Sequence, residues 1–338
     1  MAPAVNPHRR ALGWAAFFLG LAAALTFVGV DLAVDPYNEF GLSPLRKVFQ
    51  DHYSGAYAAY AKLESPGVRD LVFGTSLSGT LSPAQLKAPL LNLSSSVYGK
   101  PVNILAFLAG LDEAQWSHIR RVYCLVDIRM LDAAPGDYAD RDFHSAWQRW
   151  TEPLRNINGT KVFRALDDLK QNLNGRMAAY VDADGVVHHL GLKPFQPAGY
   201  VSDYGADLSY SPQAGAALRQ VDQLLARHLK PVTYFCTVLS DYFWCQVNPA
   251  TIAPHYQCIV EAVPSFLCLD RVPAFSPRLD LYRDEVHHED AITDWEAGML
   301  LDPKAARPYV IDKSNYKRHV AALLAQLRRC PPAAAKAD

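Results

Sequence analysis

Residues 69–83 read RDLVFGTSLSGTLSP. The apolar run Leu71–Phe73 is followed at once by a Gly-Thr-Ser turn, then by Ser82 and Pro83, a helix start in which serine caps and proline takes the first helical position. The stretch therefore predicts a strand, a tight turn carrying Ser76, and a helix. Similar short apolar runs recur at Leu90–Leu93, Val122–Ile128, Val232–Leu239 and Phe266–Leu269. Runs this short and continuous suit strands buried on both faces. Between them lie helical patterns, Asn103–Trp116 and Ser211–Leu229, the latter with Ala217, Leu218, Val221, Leu224 and Leu225 at helical spacing. The alternation predicts an α/β fold, a mainly parallel five-stranded sheet with helices on both faces. Residues 131–210, rich in Asp, Gly, Tyr and Trp, break the rhythm and read as an insertion between the third and fourth strands.

Composition bounds the function. Of 338 residues, 50% are hydrophobic and 20% charged, ordinary for a globular chain, so fibrous and wholly disordered classes are excluded. Lys+Arg 33 against Asp+Glu 34 leaves a net charge of -1 and no bulk field to gather nucleic acid. The apolar residues are unevenly spread. Ala11–Val30 carries no charge and is long enough for a membrane-spanning helix, with Arg9 and Arg10 before it and Asp31 and Asp35 after it. The positive flank predicts residues 1–10 in the cytoplasm, an anchor over 11–34 and an exported domain over 35–330, on the periplasmic face of a bacterial inner membrane. A cleavable signal peptide is the alternative, but its apolar region is usually about 7–15 residues. The final eight residues, 331–338, read as a disordered tail. Of six cysteines, Cys236, Cys245, Cys258 and Cys268 cluster in one third of the chain, so one or two disulfides are expected within that cluster, with buried free thiols as the alternative.

Candidate catalytic groups stand at two places. Ser76 follows the first strand, where open α/β sheets bind ligands. Near the C-terminus LYRDEVHHED holds Asp284 and His287 in D-x-x-H spacing, which on one turn lets the carboxylate reach one ring nitrogen while the other faces a nucleophile. A serine hydroxyl needs such a base, and the base needs an orienting group. The residues FGTS at 73–76, NLSSS at 92–96 and DEVH at 284–287, with an anchor followed by DPYNEF, resemble the SGNH (GDSL-like) hydrolase superfamily. The likeness is narrowest to its membrane-anchored envelope branch, which includes the D-alanine transfer protein and alginate O-acetyltransferase families. The resemblance implies a three-layer, flavodoxin-like fold and an acyl-serine intermediate on Ser76, with His287 as general base and acid and Asp284 orienting it. It departs from the family at the oxyanion hole. Val97 stands where a glycine is usual, leaving Gly99 and the amide of Ser76 as donors, and Asp127 stands where an Asn side chain is usual and reads as structural.

Other features take simpler readings. His287, His288, Glu289 and Asp290 point apart on a turn, so no metal is expected. Asp182 and Asp184 resemble a calcium loop, yet Val187 occupies its glycine position, and a hairpin with an Asp184-Gly185 turn fits better. His188 and His189 read as surface residues. Tyr234, Phe235, Tyr242, Phe243 and Trp244 read as core and interface packing, with sugar stacking as the alternative. The expected function is a membrane-anchored serine acyltransferase or esterase acting on a cell-envelope or exported polysaccharide, without cofactor, with a polytopic acyltransferase as possible partner. A non-catalytic scaffold or polysaccharide-binding subunit of an envelope assembly is the alternative.

Overall fold

The five apolar runs become the five parallel strands of a central sheet. The chain is represented by a computed structural model that describes residues 7–34, 45, 47–48, 63, 67–94, 98–131, 159–175, 179–182, 184–190, 193–198, 200 and 207–330. In chain order the strands are β1 (Lys47–Val48), β2 (Arg69–Phe73), β3 (Leu90–Asn92), β4 (Ile119–Leu125), β5 (Ala179–Val181), β6 (Val187–His189), β7 (Val232–Cys236), β8 (Ser265–Cys268) and β9 (Val310–Asp312). The main sheet has the order β3-β2-β4-β7-β8-β9, parallel except for β9. It has six strands where the sequence predicts five. The sixth is legible only weakly, because this short antiparallel strand at the sheet edge buries Ile311 alone.

The order fixes where a ligand can sit. From β2 the chain steps to one side to form β3 and then crosses back to form β4 on the other. Loops leaving β2 and β4 therefore diverge and open a crevice at their carboxyl ends. Leu71, Val72, Phe73 and Val122–Val126 are almost wholly buried, as the continuous apolar runs require.

The helices are α1 (Pro7–Val34), α2 (Pro83–Leu86), α3 (Pro101–Ala109), α4 (Glu113–Ser117), α5 (Gly159–Asn174), α6 (Pro212–Arg227), α7 (Asp241–Trp244), α8 (Pro249–Ala262), α9 (Asp290–Leu301), α10 (Pro303–Ala306) and α11 (Tyr316–Leu327). α3 packs on α6, α6 on α8 and α8 on α11, while α9 packs on α2. The single helix predicted over 103–116 is two, α3 and α4. The break falls at Gly110, and Asp112 restarts the chain with a capping box to Gln115. Ser211 caps α6 as its Ser-Pro start predicts.

Part of the insertion, β5 and β6, joins β1 in a second, small antiparallel sheet, with the predicted Asp-Gly turn between β5 and β6. Gly185 at that turn has φ +79°, and a side chain there would collide with the carbonyl of Asn92, so glycine is required twice over.

α1 extends over 28 residues, covering the predicted anchor, and packs against α5. Among the described residues no helix is long and apolar enough to cross a membrane. The cysteine expectation needs correction. Cys245, of the predicted cluster, is bonded to Cys330 next to the tail, while Cys124, Cys236, Cys258 and Cys268 are free thiols. Pairing across 85 residues depends on α11 returning the chain to the sheet, which spacing does not reveal. The DPYNEF motif, the tail 331–338 and much of 131–210 lie outside the described residues.

Candidate active site

The chain leaves β2 through Gly74 and enters a 3₁₀ turn, Ser76–Ser78. A side chain on Gly74 would strike Ser78 and approach Leu125 Cβ to 2.7 Å, so only glycine lets the turn fold back on β4. Asn92, at the end of β3, fastens this turn. Its side-chain amide donates to the carbonyls of Ser78 (2.9 Å), Gly79 (3.2 Å) and Leu81 (3.0 Å), and its Oδ1 accepts from the Ser94 N–H (2.9 Å). Asp127, just after β4, holds the other side. It accepts the Thr75 hydroxyl and, through Oδ1, the N–H groups of Arg129 and Met130 at 2.8 Å each. Burial pushes the Asp127 carboxyl up, and these hydrogen bonds only partly offset the push. Asp127 is thus a structural grip on the residue beside Ser76.

His287 arrives from the other end of the chain on the loop between Tyr282 and His288, which are bridged antiparallel. Asp284 shapes that loop as an Asx turn: Oδ1 accepts the N–H of Val286 (2.9 Å) and of His287 (2.7 Å). Its Oδ2 lies 2.6 Å from His287 Nδ1. Two buried contacts secure the loop below. The Ser240 hydroxyl donates to the Glu285 carbonyl at 2.5 Å, and His288 Nε2 lies 2.9 Å from Thr237 Oγ1, whose hydroxyl also donates to Glu296.

These two loops meet. Ser76 Oγ lies 2.7 Å from His287 Nε2, across 211 residues of sequence. With Nδ1–H donated to Asp284, Nε2 is left to accept the Ser76 proton. Burial alone would raise the Asp284 carboxyl, but the hydrogen bond and charge of His287, with two backbone N–H groups, bring it down to about 2. Asp284 is therefore ionised at neutral pH, as an orienting group must be to stabilise an imidazolium. The arrangement can draw a proton from a serine hydroxyl and return it.

Gly99 is buried in the turn before α3; residues 95–97, which lead into it, lie outside the described residues. His288, Glu289 and Asp290 diverge as expected, His288 into the core and Glu289 to the start of α9. Tyr234, Phe235, Phe243 and Trp244 are core residues, whereas Tyr242 meets Phe195 and Tyr200 edge-on at 5.2 and 6.3 Å between ring centroids.

His188 and His189 are not the partnerless surface residues expected. His188 Nε2 lies 2.7 Å from Asp182 Oδ2, and its ring stacks on Tyr180. His189 is half-buried near the triad, and burial with the positive charges of Arg283 and His287 lowers it to about 3, keeping it neutral. The β5–β6 hairpin carries it there: the Val187 N–H donates to the Gly79 carbonyl at 2.7 Å, and the Asn92 N–H to the Asp184 carbonyl at 2.7 Å. The Phe195 N–H donates to the Tyr282 carbonyl at 2.7 Å, so the insertion flanks both the nucleophile turn and the base loop. Sequence reasoning missed Thr75 and Asn92 as the residues that position the turn. Asn92 at a strand end was the one visible sign.

Comparison with protein-family models, with curated proteins and with solved structures finds no match, so the site rests on its own geometry.

Proposed function

We propose that the chain is a membrane-anchored serine acyltransferase or esterase of the SGNH type, acting on a cell-envelope or exported polysaccharide. The observation that carries the reading is the relay Ser76 Oγ–His287 Nε2 at 2.7 Å and His287 Nδ1–Asp284 Oδ2 at 2.6 Å. In the proposed reaction His287 takes the Ser76 proton as Oγ attacks the acyl carbonyl, and an ester to Ser76 forms as the donor's leaving group departs with that proton. His287 then deprotonates the acceptor, a sugar hydroxyl or water, which attacks the acyl-serine; Ser76 recovers its proton as it leaves. The crevice at the ends of β2 and β4, the Gly-Thr-Ser turn and the Asn at the end of β3 support the SGNH assignment. The oxyanion would be met by the amides of Ser76 and Gly99.

The outward face of α1 supports the anchor. Trp14, Phe17, Phe18 and Leu19 are 57–76% exposed, apolar surface that water does not favour and a bilayer would cover. Arg9 and Arg10 at its start would put the N-terminus in the cytoplasm and the catalytic domain in the periplasm. There a polytopic acyltransferase would deliver the acyl group across the membrane. Acyl analysis of the exported polymer in a deletion strain tests this function. Complementation with the wild type should restore acylation, and with Ser76→Ala should not. Restoration by Ser76→Ala would favour the scaffold role instead.

A further inference from the structure

Beyond the end of β8, three ligand-type side chains from separate segments converge. Cys268 ends β8, Asp270 follows two residues later, and His319 comes from α11. Cys268 Sγ lies 3.6 Å from His319 Nε2, and that nitrogen lies 3.1 Å from Asp270 Oδ2. Among the described residues this is the one group whose three ligand atoms all lie within 4.8 Å of one another. Tetrahedral zinc, with a Zn–S bond of about 2.3 Å and Zn–N or Zn–O bonds of about 2.0–2.2 Å, spaces its ligands about 3.5 Å (S to N) and about 3.3 Å (N to O) apart. The observed edges match those lengths to within a few tenths of an ångström.

The surroundings are those of a prepared site. The Asp270 carbonyl accepts the Leu239 N–H at 3.0 Å and the Trp244 indole N–H at 2.9 Å, which fixes the backbone that presents the carboxylate. The Tyr256 hydroxyl donates to Asp270 Oδ2, the outer hydrogen bond that ligating carboxylates commonly accept. Cys236 on β7 stands in register with Cys268 on the neighbouring strand. Asp270 is nearly enclosed at 4% side-chain exposure, while His319 at 24% leaves a path for an ion.

We propose that Cys268, Asp270 and His319 bind a zinc-class divalent ion, with Cys236 or water in the fourth position. On binding, the Cys268 sulfur–metal bond replaces its S–H bond, the metal–nitrogen bond replaces the Nε2–H that His319 donates to Asp270, and the displaced protons leave to solvent. The ion ties α11 to the sheet. The spacing Cys-x-Asp, with His319 49 residues after Asp270, matches no sequence pattern for zinc, and only the fold assembles it.

Titration of the untagged full-length protein in detergent with Co²⁺ tests the site. The expected result is saturation at one ion per chain, with the thiolate-to-cobalt charge-transfer band and the intense visible bands of a tetrahedral centre, displaced by Zn²⁺. Cys268→Ser should abolish the charge-transfer band. His319→Gln should weaken Co²⁺ binding by more than the roughly 10–100-fold that loss of an outer partner costs. Ser76→Ala should leave binding unchanged, which separates this proposal from the catalytic one. Absence of the charge-transfer band at saturating Co²⁺ in the wild type, its survival in Cys268→Ser, or a Cys236–Cys268 disulfide in the native protein would overturn it.

Discussion

Asp284 serves two neighbours at once, one oxygen closing the loop through backbone N–H groups and the other orienting His287. Replacing it with Asn keeps an acceptor for the loop but can present an amide N–H to the ring, turning the imidazole into the wrong tautomer. Asp284→Asn should therefore lower kcat for an activated ester by about 10³–10⁴-fold while the domain stays folded, the loss seen when a triad carboxylate is amidated. Its depressed pKa also sets a pH window. A carboxyl that falls from its ordinary value to about 2 on folding contributes stability above the ordinary value, roughly 2 kcal/mol, and loses it as pH falls towards about 2. Denaturation midpoints of wild type and Asp284→Asn should thus differ at neutral pH and converge in acid. At this scale the sequence was informative because D-x-x-H on one turn is a local geometry. The grip of Asp127 on Thr75 spans 52 residues, and only adjacent strands bring the two together.

The elements divide in the same way. Short apolar runs identified the five parallel strands because burial on both faces leaves no polar alternation to confuse with a helix. The polar-ended β9 and the split of α3 from α4 escaped notice, the first for want of length and the second because Gly110 lies inside an otherwise helical pattern. The same scale explains how the nucleophile turn is held. Asn92 joins β3 to that turn by sharing its two amide protons among three buried carbonyls, so Asn92→Ala removes the Leu81 carbonyl's side-chain donor while the Ser78 and Gly79 carbonyls keep the N–H groups of Leu81 and Val187. The substitution should cost about 2–3 kcal/mol, given about 1 kcal/mol for each of the two amide protons and a penalty for the carbonyl left bare. It should also reduce the proposed esterase or acyltransferase activity at temperatures where the protein is still folded. Chemical denaturation alongside activity checks both effects; an unchanged midpoint would show that the turn stands without β3.

Over the whole molecule, one covalent link joins α7 to the end of α11. Cys245–Cys330 closes a loop of 85 residues, which by loop-closure entropy stabilises the folded state by roughly 4–5 kcal/mol. Cys330→Ser should therefore lower the denaturation midpoint markedly, and reductant should do the same to the wild type but not to the variant. Such a bond also suits the oxidising side of a membrane, in keeping with the topology proposed from α1. Neither the bond nor the meeting of Ser76 with His287 was legible in spacing: the bond depends on β9 and α11 returning the chain past the sheet, and the meeting depends on β8 leading the chain into the Tyr282–His288 loop. That loop brings the base to the nucleophile at the crevice where the strand order reverses, and the proposed function rests on it. The most direct test is fluorophosphonate labelling of the full-length protein with peptide mass spectrometry. The label should appear on Ser76, vanish in Ser76→Ala and slow by orders of magnitude in His287→Ala; equal labelling of wild type and Ser76→Ala would contradict the account.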